Sequence, residues 1–275
     1  HLKDEYYILL DRTYRLPAPT EKPISEGYYS GLLHALFQSD QRLQNLWQGR
    51  VPPEDIWLSK AGEIVEEAIT TLRPLIIIEP STPYPAYQVS EEEKGILFDP
   101  LRAKLGVAVA VALAYSTGVS TYVIAPYRDQ VMQMRLLCQR RYGDLLRRAG
   151  LASLVKFTTV HKMLGGEADN IVAVLGKEYF GSEESPTMHF QEPELLNVQL
   201  SRHRRVLVVI GDLRMLYRQA GEADKRLKER KYECMRKTVE TMLVELAGLK
   251  QNELRALPRE NVKREGNKAV YYRLY

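Results

Sequence analysis

The run Val206-Leu207-Val208-Val209-Ile210, closed by Gly211, constrains the fold more than any other stretch of the chain. An unbroken apolar run ending at a glycine fits a central parallel strand covered on both faces, since a half-exposed strand would alternate. A short helix feeds it, with Leu195, Leu196, Val198 and Leu200 at the apolar positions. Between the two lies the basic run Ser201-Arg202-His203-Arg204-Arg205. An arginine delivered by a helix end to the edge of a parallel sheet stands where α/β folds bind phosphate ligands, although the same run also reads as a solvated turn.

The rest of the chain agrees with a parallel sheet. From Asp99 onward helix and strand patterns alternate. An Ala-rich apolar helix covers 101–115 and stops at Gly118, 121–125 is a strand, and a helix follows over about 129–148. That helix turns Val131, Met134, Leu137, Leu145 and Leu146 inward and leaves Arg140, Arg141, Arg147 and Arg148 on a solvated face. Further strands fall at 154–157 and 170–175. Upstream, 34–72 reads as helical, with Leu36, Phe37, Leu43, Leu46 and Trp47 at helical spacing. Pro52-Pro53 breaks it, and a second helix runs over about 59–72 into a buried strand at 74–78. Residues 6–10 are a strand or a helix start, and 81–95 is a Pro- and acid-rich surface loop with a solvated Glu91–Glu93 run. Beyond Asp212 the spacing predicts one or two long helices over 213–249, with Gly221 as a break. The basic stretch 225–237 defaults to a solvated helix face. The tail from Asn252 carries little order signal apart from a short strand at 269–272.

Composition limits the function classes. A chain of 275 residues, 45% hydrophobic and 27% charged, can bury a large core and is not globally disordered. The net charge of +4 is mild. Its excess is local, at 135–148, 202–205 and 225–237, which favours a polyanionic partner. Two cysteines, Cys138 and Cys234, make neither a disulfide framework nor a metal cluster, so a reducing intracellular compartment, nuclear or cytoplasmic, is expected. The longest apolar stretch, near 105–115, is too short to span a bilayer, and no membrane partner is expected. The sequence opens at His1 without a Met, as a piece of a longer protein would.

Four blocks, taken together, resemble a known family. Leu196-Asn197-Val198-Gln199-Leu200-Ser201-Arg202, with its strand ending Ile210-Gly211-Asp212, resembles the last signature motif of superfamily 1 helicases. Thr13-Tyr14-Arg15-Leu16-Pro17, followed by Gly27-Tyr28-Tyr29-Ser30-Gly31-Leu32-Leu33, is similar to the segment by which those chains enter their second motor domain. Val123-Ile124-Ala125-Pro126-Tyr127-Arg128-Asp129-Gln130 resembles a further block, and so does the run from Thr158 to Asp169. Departures are Leu164 for the family glutamine, Gln199 and His203 for small residues, and a missing Gln and His around Tyr14-Arg15.

The resemblance implies a RecA-like parallel α/β domain over 1–214 with a helical C-terminal extension over 215–275. It implies the second motor lobe of an ATP-dependent RNA or DNA helicase, similar to the nonsense-mediated-decay helicase group. In that family Arg202 and Arg15 would act on the terminal phosphates of ATP. Tyr14 would stack on the adenine, and Tyr127, Gln130, Gly165 and Glu167 would line the nucleotide cleft. Thr159 and His161 would face single-stranded nucleic acid, RNA ahead of DNA. The chain holds no G-x-x-x-x-G-K-[ST] loop and no acidic strand end ahead of Tyr14. ATP with Mg²⁺ would thus be held mainly by an upstream lobe of the same protein, with no metal site in this chain, and the chain alone would be inactive. Protein partners would dock on the C-terminal helices. The alternative is a degenerate RecA-like domain serving as a protein-binding scaffold, with Leu164 and Gln199 as its marks.

Overall fold

The computed structural model describes residues 11–80, 99–178, 186–254, 262–266 and 268–274. The expectations for 6–10 and 81–95 lie outside the described residues. In chain order, a short strand β1 (Arg12–Thr13) leads to α1 (Lys22–Tyr28), β2 (His34–Ala35) and α2 (Ser39–Leu43), then to α3 (Ile56–Thr70) and β3 (Leu75–Pro80). Next come α4 (Pro100–Thr117), β4 (Thr121–Ala125), α5 (Arg128–Arg148), β5 (Val155–Thr159) and β6 (Ala168–Val174). The chain continues through α6 (Met188–Gln191), α7 (Glu194–Leu200), β7 (His203–Ile210), α8 (Leu213–Leu227) and α9 (Glu233–Glu240). It closes with β8 (Val262–Glu265) and β9 (Ala269–Leu274).

Seven strands form the main sheet in the order β5-β4-β6-β7-β3-β9-β8, all neighbours parallel except β8 against β9. This is a RecA-like α/β fold. β3 and β7 occupy its centre, and Leu75 to Ile78 and Val206 to Ile210 are buried as continuous apolar runs require. One face is covered by α3, α4 and α5. Asp99 caps α4 by accepting from the backbone N–H groups of Leu101 and Arg102, Pro100 sets its first turn, and a left-handed Gly118 ends it. A Cβ on Gly106 of this helix would stand 2.7 Å from Val174 Cγ2, so glycine sets how closely α4 lies on the sheet. The other face is covered by the 160–167 loop, α7, α8, α9 and the π-helical turn Thr241–Leu246.

Three expectations change. Residues 34–55 hold the five-residue α2 and are otherwise without a helix, because Phe37 and Leu46 are fixed by long-range contacts: Phe37 O accepts from Ala18 N at 2.8 Å. α8 runs through Gly221 and ends instead at Lys228, which adopts a left-handed conformation at φ 53°. The extension beyond 214 is helical only in part, for it returns as β8 and β9, and β9 pairs along the whole length of β3.

Candidate functional site

The amino ends of β6 and β7 face a cleft of about 820 Å³. Its first wall is a turn built by Thr13, whose hydroxyl accepts the N–H of Arg15 at 3.2 Å and of Leu16 at 3.3 Å. Leu16 is buried and anchors the turn, which leaves Tyr14 outward and 70% exposed. The Tyr14 ring meets Phe37 edge-on at 6.3 Å. Arg42 lies over the Phe37 ring at 4.4 Å and donates to Tyr14 O at 2.9 Å, so a cation–aromatic contact and an edge-on ring pair hold this wall.

The second wall is the approach to β6 and β7. Gly165 turns there with φ 78°, a conformation few other residues accept. Two positions later, Glu167 accepts from Arg15 Nε at 3.2 Å and pairs with Arg204 through its other oxygen. Arg204 first, then Arg15, hold the Glu167 carboxyl below the usual carboxylate range. Arg15 also donates to Ser201 O at 3.3 Å. Arg202 is half-buried beside it and donates from Nε to Val198 O at 3.2 Å. Burial lowers the Arg202 pKa, and the charge of Arg15 lowers it further, so the two guanidiniums lie within electrostatic reach. Arg12 and Arg42 add positive charge to the lining, on which Glu167 is the carboxylate. Such a set suits a polyphosphate and an aromatic base; the one carboxylate among the described lining residues is already occupied by arginines, so the set does not suit a metal ion. Among the described residues no group of His, Cys, Asp and Glu could hold a metal.

Tyr14, Arg15 and Glu167 thus line the cleft together, while Gly165, two residues before Glu167, and Arg202, within electrostatic reach of Arg15, lie beside it. Tyr127 and Gln130 do not line this cleft. They follow the carboxyl end of β4, whereas Glu167 and Arg202 precede the amino ends of β6 and β7. In parallel strands those positions lie at opposite edges, here roughly 20 Å apart over the seven residues of β6. Tyr127 shares its edge with Thr159, because Ala125 and Thr159 are register partners at the ends of β4 and β5. Gln130 is buried and donates to Leu175 O at 3.4 Å. Thr159 is buried with its hydroxyl accepting from Lys162 N at 3.4 Å, and His161 is exposed next to it.

A model of the AAA domain matches residues 1–214. The chain belongs to the AAA domain family. This is the domain found in superfamily 1 helicases. A search of curated proteins finds no match to the chain. The AAA domain match stops at the second residue of α8, yet the sheet does not stop there, since β9 completes it.

Two departures of this AAA domain from the helicase pattern are buried hydrogen-bonding groups. Gln199 donates to Ile124 O at 2.9 Å and Val174 O at 3.0 Å, and its oxygen lies 2.9 Å from His189 Nε2. It tethers α7 to the ends of β4 and β6, facing away from the cleft. His203 lies 2.7 Å from the Thr20 hydroxyl. Burial pushes the His189 and His203 pKa values down to about 4 and about 3, so both rings are neutral near pH 7. Leu164, in contrast, is 58% exposed.

Sequence reasoning missed Arg204 and Arg42. The signal for Arg204 was the period of two: β7 begins at His203, so Arg202 and Arg204 flank one side while His203 points inward. The surface arginines of α5 are less free than the sequence suggests, for Arg141, Arg147 and Arg148 pair with Asp55, Asp144 and Glu54.

Proposed function

We propose that the chain is the second motor lobe of an ATP-dependent superfamily 1 helicase, similar to the nonsense-mediated-decay group. The observation that carries this reading is the pairing of Arg15 and Arg204 with Glu167 beneath an exposed Tyr14, with Arg202 within electrostatic reach of Arg15. ATP, held with Mg²⁺ by a phosphate loop upstream, supplies the transferable γ-phosphate. Arg15 and Arg202 neutralise charge on its terminal oxygens, and Tyr14 offers its open ring to the base. Single-stranded nucleic acid, RNA ahead of DNA, runs over the opposite edge past Tyr127, Thr159 and His161. Free Cys138 and Cys234 suit a reducing nuclear or cytoplasmic compartment, and α8–α9 is the place for protein partners.

The test is Arg202→Ala in the full-length protein. Nucleic-acid-stimulated ATP hydrolysis should fall by about 10³-fold or more with the fold intact. Arg202→Lys should not restore it, because an ammonium lacks the planar fork. Arg50→Ala, at a remote exposed pair with Glu66, should keep parental turnover. Parental turnover in Arg202→Ala would refute the finger, and an inert parent would leave a scaffold in its place.

A further inference from the structure

β5 is the outermost strand of the sheet, and α5 runs beside it. Leu154 O accepts from Thr121 N at 2.9 Å and Val160 N donates to Ala125 O at 3.2 Å, so even-numbered residues of this stretch turn their backbone toward β4. Val155, Phe157 and Thr159 therefore turn theirs outward. Between this edge and α5 lies a groove of about 480 Å³. Cys138, Leu146, Val155 and Phe157 form a buried apolar floor. Arg135 and Arg147 form the rim, and among the described residues no aspartate or glutamate lines it. Lys156 lines it by its backbone only, for its ammonium lies over the Tyr122 ring at 5.3 Å on the opposite face of the sheet.

An open sheet edge with cations beside it fits an extended acidic peptide or a nucleic-acid strand. Arg135 decides between them. Its Nη2 donates to Phe157 O at 3.0 Å, which occupies the acceptor an added β-strand needs. Phosphates need no such acceptor. Arg147 pairs with Asp144, but both side chains are largely exposed, so the pair is weak and exchangeable. From Arg135 to Arg147 the groove follows twelve residues of α5, about 18 Å, room for about three to five phosphates at 3.4 Å or more per nucleotide. Its β5 lining ends at Phe157, two residues before Thr159 closes the strand at the carboxyl edge of the sheet.

We propose that the α5–β5 groove is a second phosphate-backbone site, which takes the single strand after it leaves the sheet edge at Thr159. This rests on the reading that the strand crosses that edge.

The experiment is fluorescence anisotropy of the whole chain with labelled oligouridylate of 6 and 15 nucleotides, at 50 to 200 mM KCl. Arg135→Gln/Arg147→Gln should weaken the 15-mer about fivefold or more and leave the 6-mer within about twofold. The slope of log affinity against log salt for the 15-mer should drop by about 1.4, at 0.7 per phosphate contact. His161→Ala should weaken both lengths. Should the double variant fail to melt cooperatively, Arg135→Gln and Arg147→Gln, both at exposed positions, each should lower the slope by about 0.7. An unchanged 15-mer slope overturns the groove while the crossing stands, and equal weakening of both lengths also overturns it. No binding of either length by the parent removes the crossing and the groove together. Tighter binding of a 15-residue polyglutamate, lost in the double variant, overturns the proposal in favour of an acidic protein.

Discussion

Arginine–carboxylate pairs stand at both edges of the sheet, with opposite consequences. At the amino edge Glu167 sits between Arg15 and Arg204, and all three side chains are about a third to a half exposed. At the carboxyl edge Glu79 is wholly buried and accepts from Arg214 Nε at 2.9 Å, Tyr271 Oη at 2.7 Å and Arg273 Nη1 at 3.3 Å. Burial, with the charge of Asp212 added, raises the Glu79 pKa, and Arg214 opposes this. A second cluster there joins Arg102 to Asp99 and Glu178, and burial pushes Glu178 up to about 7. Water screens the first kind of pair and leaves it replaceable by a ligand; its exclusion makes the second kind a structural bolt.

The contrast breaks most visibly at Arg214. Arg214→Ala leaves the buried Glu79 with Arg273 as its remaining cation and should cost about 3–5 kcal/mol in denaturant unfolding. A loss under about 1 kcal/mol would mean that Arg273 suffices to hold Glu79, or that Glu79 carries no charge in the fold.

Protons probe both edges at once. His203 lies under the cleft and His189 beside Gln199, each depressed from an ordinary value near 6.5. The unfolded chain takes up these protons below pH 6.5 while the folded chain resists. The stability each ring contributes is thus full above pH 6.5 and falls by about 1.4 kcal/mol per pH unit toward its folded pKa. Glu178 works in reverse, present below about pH 4.5 and lost as pH rises through about 7. Comparison with a variant isolates one group: the stability difference between parent and His203→Asn should shrink by about 2 kcal/mol from pH 6.5 to 5. A constant difference would show that His203 is already charged in the fold.

At the amino edge, Glu167→Gln should shift stability by less than about 1 kcal/mol. It should also raise the affinity of the chain for tripolyphosphate several-fold by calorimetry, since it releases Arg15 and Arg204. Weaker binding would show that the carboxylate positions those arginines rather than masking them. The smallest effect belongs to Leu164→Gln, within about 0.5 kcal/mol at so exposed a position. Any change it brings to ATP hydrolysis in the full-length protein therefore reports coupling and not folding.

The central layers were legible because local signals and burial agree. β4 runs over 121–125 as its β-branched residues indicate, and α4 carries its cap, its proline and its closing glycine in sequence. Where long-range contacts decide, the pattern misleads. Leu36, Phe37 and Trp47 have helical spacing, yet Phe37 is held by Arg42 and by the bond to Ala18. The motif blocks gave the cleft's Arg15 and Glu167 and the neighbouring Arg202, but separating Tyr127 from them needed the strand directions, which no spacing reveals. Arg42 reaches the cleft from a segment with no motif at all. Gln199, a mark of decay in sequence, and His203, a departure from the family pattern, are buried hydrogen-bonding groups.

β9 makes the order of synthesis matter. It lies against β3, and Tyr271 meets Glu79 from 192 positions further along the chain. Until the ribosome has released residues 269–274, β3 keeps one side of a wholly buried strand unzipped and its Glu79 without two of its donors. Every nascent or prematurely stopped chain lacking that segment exposes a sticky sheet edge in the middle of the domain, a target for chaperones or for aggregation.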